Sequence, residues 1–110
     1  MTSAYAPVDE DCPPPEEPVD GAIARELEIV NRKGLHARAT AKFVQCVDRF
    51  AAKVKVTRCG ETVGGDSIMG ILTLGAGIGS TITVTASGPQ AAEAIAALAE
   101  LVAARFGEDE

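Results

Sequence analysis

Between positions 23 and 107 the apolar residues change period several times, and neither an all-helical nor an all-strand architecture accommodates every change. Ile82, Val84 and Ala86 alternate with Thr81, Thr83 and Thr85, the pattern of a strand with one packed face. Gly88-Pro89 follows. Ala91, Ala94, Ile95, Leu98, Leu101, Val102 and Phe106 then form a helical stripe, predicting a long helix opened by the proline. Upstream, Thr40, Val44, Val47 and Ala51 recur on one helical face with Phe43 and Phe50 flanking, which predicts a helix starting near His36 or Ala37. Ile23, Leu27 and Ile29 alternate with Glu26 and Glu28, a strand whose apolar side Arg25 interrupts. Val54 and Val56 alternate with Lys55 and Thr57. Cys59-Gly60 then supplies a two-residue turn into Glu61-Thr62-Val63, a hairpin ended by Gly64-Gly65. Asp66 and Ser67 precede Ile68, Met69, Ile71 and Leu72, a capped short helix stopping at Gly75. The order β-α-β-β-α-β-α predicts an α+β fold, one four-stranded antiparallel sheet covered on one side by three helices.

The full chain has 110 residues, enough for one domain. Its charge is uneven. Residues 1 to 22 carry six acids, no Lys or Arg, and five of the six prolines, so they account for the whole net charge of −6 and read as a disordered acidic tail. The domain is expected over residues 23–107, with 108–110 a frayed acidic end. Within it, residues 23 to 58 hold nine of the ten basic side chains against three acids, a basic half suited to anions or acidic partner surfaces, with Arg32, Lys33 and Lys42 as candidates. No apolar run approaches the roughly 18 residues of a membrane helix, and the first residues do not form a secretory signal, so a cytoplasmic location is expected. Cys12, Cys46 and Cys59 include no C-x-x-C pair and are expected to be free thiols.

Catalytic groups are scarce: one histidine, one tyrosine in the tail and no tryptophan. His36 and Cys46 lie ten residues apart on one predicted helix, too far for a shared metal or nucleophile site, so neither a metal nor a cofactor is expected. The informative stretch is Gly34-Leu35-His36-Ala37-Arg38-Ala39-Thr40. It puts the histidine at a helix start, where unpaired amides and a partial positive charge favour a phosphate, and puts an arginine two residues on to grip its oxygens. Neutral imidazole is itself a nucleophile able to receive such a group. A plainer reading makes His36 a cap and Arg38 a solvated charge, and spacing alone leaves both open.

Gly34-Leu35-His36-Ala37-Arg38, followed by Ser67-Ile68-Met69-Gly70 and Leu74-Gly75, resembles the HPr family of histidine phosphocarriers of the phosphoenolpyruvate-dependent phosphotransferase system. The likeness spans roughly residues 23 to 107. It implies that His36 is phosphorylated at Nδ1 by enzyme I, that Arg38 steadies the phosphoryl group, and that an EIIA-type protein accepts it, the chain being a carrier rather than an enzyme. It further implies that Ser67 is a regulatory position for an HPr kinase/phosphorylase. Ala37, Thr40, Ile68, Met69 and Leu72 are the implied docking residues, Met69 foremost because a flexible thioether adapts to several partners. Such a carrier would act as a monomer, without nucleic acid or membrane insertion.

The family usually has proline where this chain has Ala39, and Asp66 before Ser67 alters what a kinase would meet. These variant motifs look closer to the nitrogen-related, NPr-like branch than to the sugar-uptake branch. The rival from another class is a non-transferring regulatory module that binds a kinase, transcription factor or metabolic enzyme through the same face. A histidine placed for phosphorylation argues against that as the only role.

Overall fold

The computed structural model describes residues 22–108. The acidic, proline-rich segment with Cys12 lies outside the described residues, as do Asp109 and Glu110. Four strands, β1 (Ile23–Glu28), β2 (Lys53–Arg58), β3 (Glu61–Gly64) and β4 (Thr81–Ser87), alternate with helices α1 (Ala37–Val47), α2 (Ile68–Thr73) and α3 (Ala91–Ala103). A short turn, Arg105–Gly107, is the last element among the described residues. All strand pairs are antiparallel, in the order β1-β4-β2-β3. The helices cover one face of the sheet, so the expected α+β open-faced sandwich is the fold.

Register explains the faces. Val84 of the central strand β4 lies opposite Val56 on one side and Arg25 on the other, and its neighbours Ile82 and Ala86 face Leu27, Ile23 and Val54. Side chains opposite one another share a face, so all of these point to the helices. Val56, Ile82 and Val84 are fully buried, whereas Ile23 and Arg25 occupy the same face of an edge strand and stay exposed. On the opposite face the Thr57 and Thr62 hydroxyls hydrogen-bond at 2.7 Å. Phe43, Ile71, Leu98 and Phe106 fill the space between sheet and helices. Burying an aromatic or a leucine there is worth roughly 1.5–3 kcal/mol each.

Several boundaries differ from the periodic reading. Helix α1 ends at Val47, and Ala51 lies exposed beyond it, because a turn over Asp48–Ala51 brings the chain into β2. Helix α3 begins at Ala91, after Pro89, and ends at Ala103. Phe106 is fully buried, as the stripe requires, but from a left-handed turn: Arg105, Phe106 and Gly107 have φ of 58°, 55° and 80°. This turn doubles the chain back over the start of α1. Of the apolar residues in α2 only Ile71 is buried; Leu72 is half-buried, and Ile68 and Met69 point outward. Cys46 is a buried free thiol whose pKa burial raises, with Arg49 opposing. Cys59, at the hairpin turn, is disulfide-bonded, which corrects the free-thiol expectation for that residue.

Two glycines separate strain from sterics. Gly34 has φ +65°, and a Cβ on it would lie 2.5 Å from the Ala76 carbonyl oxygen and 2.7 Å from Gly77 Cα; Gly75 has φ +66° and would point its Cβ into open space. Gly75→Ala therefore costs only the left-handed strain, about 1 kcal/mol, whereas Gly34→Ala adds a backbone clash and should cost at least about 2 kcal/mol. Urea unfolding of the two variants checks the order; equal losses would contradict the account of the Gly34 loop.

Candidate functional site

The site is built on the loop between β1 and α1. The Asn31 carbonyl accepts the Gly34 amide at 3.1 Å, which closes a turn, and the Leu35 amide then bonds the Ala76 carbonyl at 2.9 Å. Leu35 is buried by this contact, and the next residue, His36, leaves the core with extended backbone (φ −77°, ψ −179°) as the N-cap of α1. The first helical hydrogen bond runs from the Thr40 amide to the His36 carbonyl at 2.8 Å. The amides of Ala37, Arg38 and Ala39 are therefore the helix's open donors. The His36 ring does not cap them.

That ring is instead held by the C-terminal segment. His36 Nε2 hydrogen-bonds the Glu108 side-chain carboxylate, and Asn31 Nδ2 donates to the other carboxylate oxygen at 3.1 Å and to the Gly34 carbonyl at 2.8 Å. Asn31 is fully buried, so both hydrogens of its amide group have fixed acceptors. The hydrogen bond from His36 holds the Glu108 carboxyl below its ordinary value of 4.5, against partial desolvation, with Asn31 and Lys33 acting in the same direction as the hydrogen bond. Lys42, on α1, donates to the Phe106 carbonyl at 2.6 Å and so fixes the turn that delivers Glu108. The His36 side chain is still 28 % exposed, and among the described residues nothing hydrogen-bonds its Nδ1.

Ala37 and Arg38 are exposed in the first turn of α1, and Arg38 makes no hydrogen bond among the described residues. Thr40 is different. It is fully buried, with its hydroxyl donating to the Leu35 carbonyl at 3.2 Å, so it secures the first turn from inside and cannot be a docking residue, contrary to expectation. Lys42 is likewise tied to the C-terminal turn rather than extended toward a partner surface. Ser67 is the N-cap of α2, its hydroxyl accepting the Gly70 amide at 3.0 Å. Beside it Ile68 and Met69 are 41 % and 71 % exposed, an apolar patch at the outer end of α2.

Two residues escape the sequence reading. Glu108 looked like part of an acidic end, and nothing local signals that it meets a histidine 72 positions away. Ile78 is 61 % exposed in the loop before β4. An apolar side chain isolated between Gly77 and Gly79 was a readable signal of an exposed contact. Arg58 steadies this loop through the Leu74 carbonyl at 3.1 Å.

An exposed imidazole at a helix start, with a guanidinium two residues on that is unpaired among the described residues, is chemically able to hold an anion on a ring nitrogen. Residues 23–104 match the family model PTS-HPr, described as the PTS HPr component phosphorylation site. Phosphocarrier protein HPr of Cupriavidus necator is 49% identical over 88 residues, covering 80% of this chain and 99% of the relative. That of Pseudomonas aeruginosa is 46% identical, covering 79% and 98%. Among solved structures, HPr-C-His from Thermoanaerobacter tengcongensis superposes with a TM-score of 0.77 at 39% identity, over 80% of this chain and 99% of that one. The phosphocarrier protein HPr from Bacillus anthracis gives 0.73 at 41% identity, over 76% and 99%. Shared over nearly the whole length of these relatives in both sequence and fold, the described domain makes the chain a member of the HPr family of phosphocarrier proteins of the phosphotransferase system.

Proposed function

We propose that His36 accepts a phosphoryl group from enzyme I, with phosphoenolpyruvate as the ultimate donor, and passes it to an EIIA-type protein, all within the cytoplasm. The observation that carries this reading is the position of the ring: partly exposed, at the start of α1, with Nδ1 free of any partner among the described residues and three open amides beside it. Lone-pair attack by Nδ1 on phosphorus develops charge on the phosphoryl oxygens. The α1 amides and the Arg38 guanidinium are the groups able to meet it. Phosphoryl transfer depends on positioning and charge neutralisation, which suits a domain with so few catalytic side chains and makes it a carrier used by partner enzymes.

Ala37, Ile68 and Met69 form the docking face in this reading, with half-buried Leu72 at its margin. Ser67 serves as both cap and regulatory position. A phosphate on its hydroxyl would bring nearly two negative charges to the start of α2, tolerated by the helix but unfavourable for an acidic partner approaching the same face. Whether the acceptor belongs to the nitrogen-related or the sugar-uptake branch is decided by which EIIA type takes the phosphoryl group.

Incubation with enzyme I and phosphoenolpyruvate should add one phosphoryl group to the intact protein and none to His36→Ala, read by mass. An unchanged wild-type mass or equal labelling of His36→Ala would reject the reading. Arg38→Ala should still be labelled, but at least about tenfold more slowly, the worth of a charge-assisted hydrogen bond. For Ser67, an aspartate caps a helix as well as serine does, so Ser67→Asp should leave the thermal midpoint within a few degrees while lowering the rate of labelling by enzyme I. An undiminished rate would remove the regulatory role.

A further inference from the structure

The turn at the end of the chain is constructed to deliver one carboxylate. Three consecutive residues, Arg105 to Gly107, adopt left-handed backbone conformations, which for the two non-glycine residues persist only where surrounding contacts compensate the strain. Those contacts are present: Phe106 is fully buried, its carbonyl is bonded by Lys42, and the Gly107 and Glu108 amides bond the Ala104 and Arg105 carbonyls at 3.0 and 2.9 Å. Glu108 emerges from this turn against Nε2 of His36, with its second oxygen held by the buried Asn31. A carboxylate can only accept at Nε2, so the ring proton resides there and the lone pair resides on Nδ1.

We propose that Glu108 is a positioning residue for phosphoryl transfer at His36: it fixes the Nε2–H tautomer, orients Nδ1 outward, and balances the ring charge that the bound phosphoryl group creates. The proposal rests on the reading of His36 as the carrier residue. In the step itself, the Nδ1 lone pair forms the N–P bond while the bond from phosphorus to the donor atom of enzyme I breaks, the donor atom keeping that electron pair. The Nε2 proton stays where it was. The ring thereby becomes a phosphoimidazolium with one positive charge, adjacent to the Glu108 carboxylate. Onward transfer reverses these changes: the N–P pair returns to Nδ1, and the ring leaves as neutral imidazole. Keeping the proton on Nε2 in both states preserves the better leaving group for the second transfer. This is the division of labour by which a buried carboxylate orients and supports a histidine in a catalytic triad, applied here to a histidine that is itself the nucleophile.

The test uses the full chain and three variants. Glu108→Ala removes both the acceptor and the charge; Glu108→Gln keeps a carbonyl acceptor and removes the charge; Glu108→Asp keeps the charge on a shorter arm. Nitrogen-15 shifts of the His36 ring in the neutral, unphosphorylated protein should show a protonated Nε2 and an unprotonated Nδ1 in the wild type. Both nitrogens should move toward averaged values in Glu108→Ala, and less so in Glu108→Gln. With enzyme I and phosphoenolpyruvate, kcat for transfer should fall roughly tenfold in Glu108→Ala and Glu108→Gln, with KM for this protein little changed, and Glu108→Asp should recover part of the loss. Unmoved ring shifts with undiminished kcat would overturn the proposal, and so would a loss confined to KM, which would make Glu108 a docking contact only. If Glu108→Ala fails to fold, Glu108→Gln and Glu108→Asp still decide through their kcat difference. Should the wild type take no phosphoryl group at all, the carrier reading fails separately, and the ring shifts alone report on Glu108.

Discussion

The close approach of two backbones, Gly34 against Ala76 and Gly77, is the contact on which the site depends. Only a residue without a Cβ fits there, and the Leu35 amide uses the proximity to bond the Ala76 carbonyl. That bond draws Leu35 inward and forces the next residue outward, so the histidine is both rooted in the core and presented to solvent. Helix α1 can then start at Ala37 with its first amides unspent. The loop before β4 is part of the same junction, since the Ile29 amide bonds the Ser80 carbonyl and the Gly79 amide returns to the Ile29 carbonyl. The end of β1, the start of α1 and the 75–80 loop thus behave as one assembly.

Against this assembly packs the C-terminal turn, anchored by Phe106 and by Lys42. The consequence is chemical as well as structural. One side of the imidazole has the open amides of α1, and the other has the Glu108 carboxylate bonded to the ring. In the proposed function, this pairing is what would let a single histidine both accept and release the same group.

Much of this was legible in the order of residues. The alternation of Ile82, Val84 and Ala86, the Cys59-Gly60 turn and the Ser67 cap report local preferences that the fold leaves intact, and the structure reproduces them. The errors arise where tertiary contacts override a local period. Ala51 continues the stripe of α1, but the helix has already ended. Thr40 is buried on the stripe as its spacing requires, with its hydroxyl bonded to the Leu35 carbonyl, and it is the docking role implied by the family resemblance that this burial overturns. Phe106 satisfies the stripe of α3 from a left-handed turn, which a periodic pattern does not anticipate. Glu108 is the extreme case. Its partner is remote in sequence, its own neighbourhood reads as an acidic terminus, and only the folded path of the chain reveals what it touches. The histidine could be read from sequence because a helix start is a local feature; its carboxylate could not.

The central claim is that the His36 ring has two assigned nitrogens, Nδ1 for phosphorus and Nε2 for the proton shared with Glu108. Nitrogen-15 spectroscopy of the phosphorylated, uniformly labelled protein tests it most directly. The account predicts one-bond phosphorus–nitrogen coupling at Nδ1 of His36 with a hydrogen still on Nε2. Coupling at Nε2, or a phosphoryl group on any other residue, would contradict it.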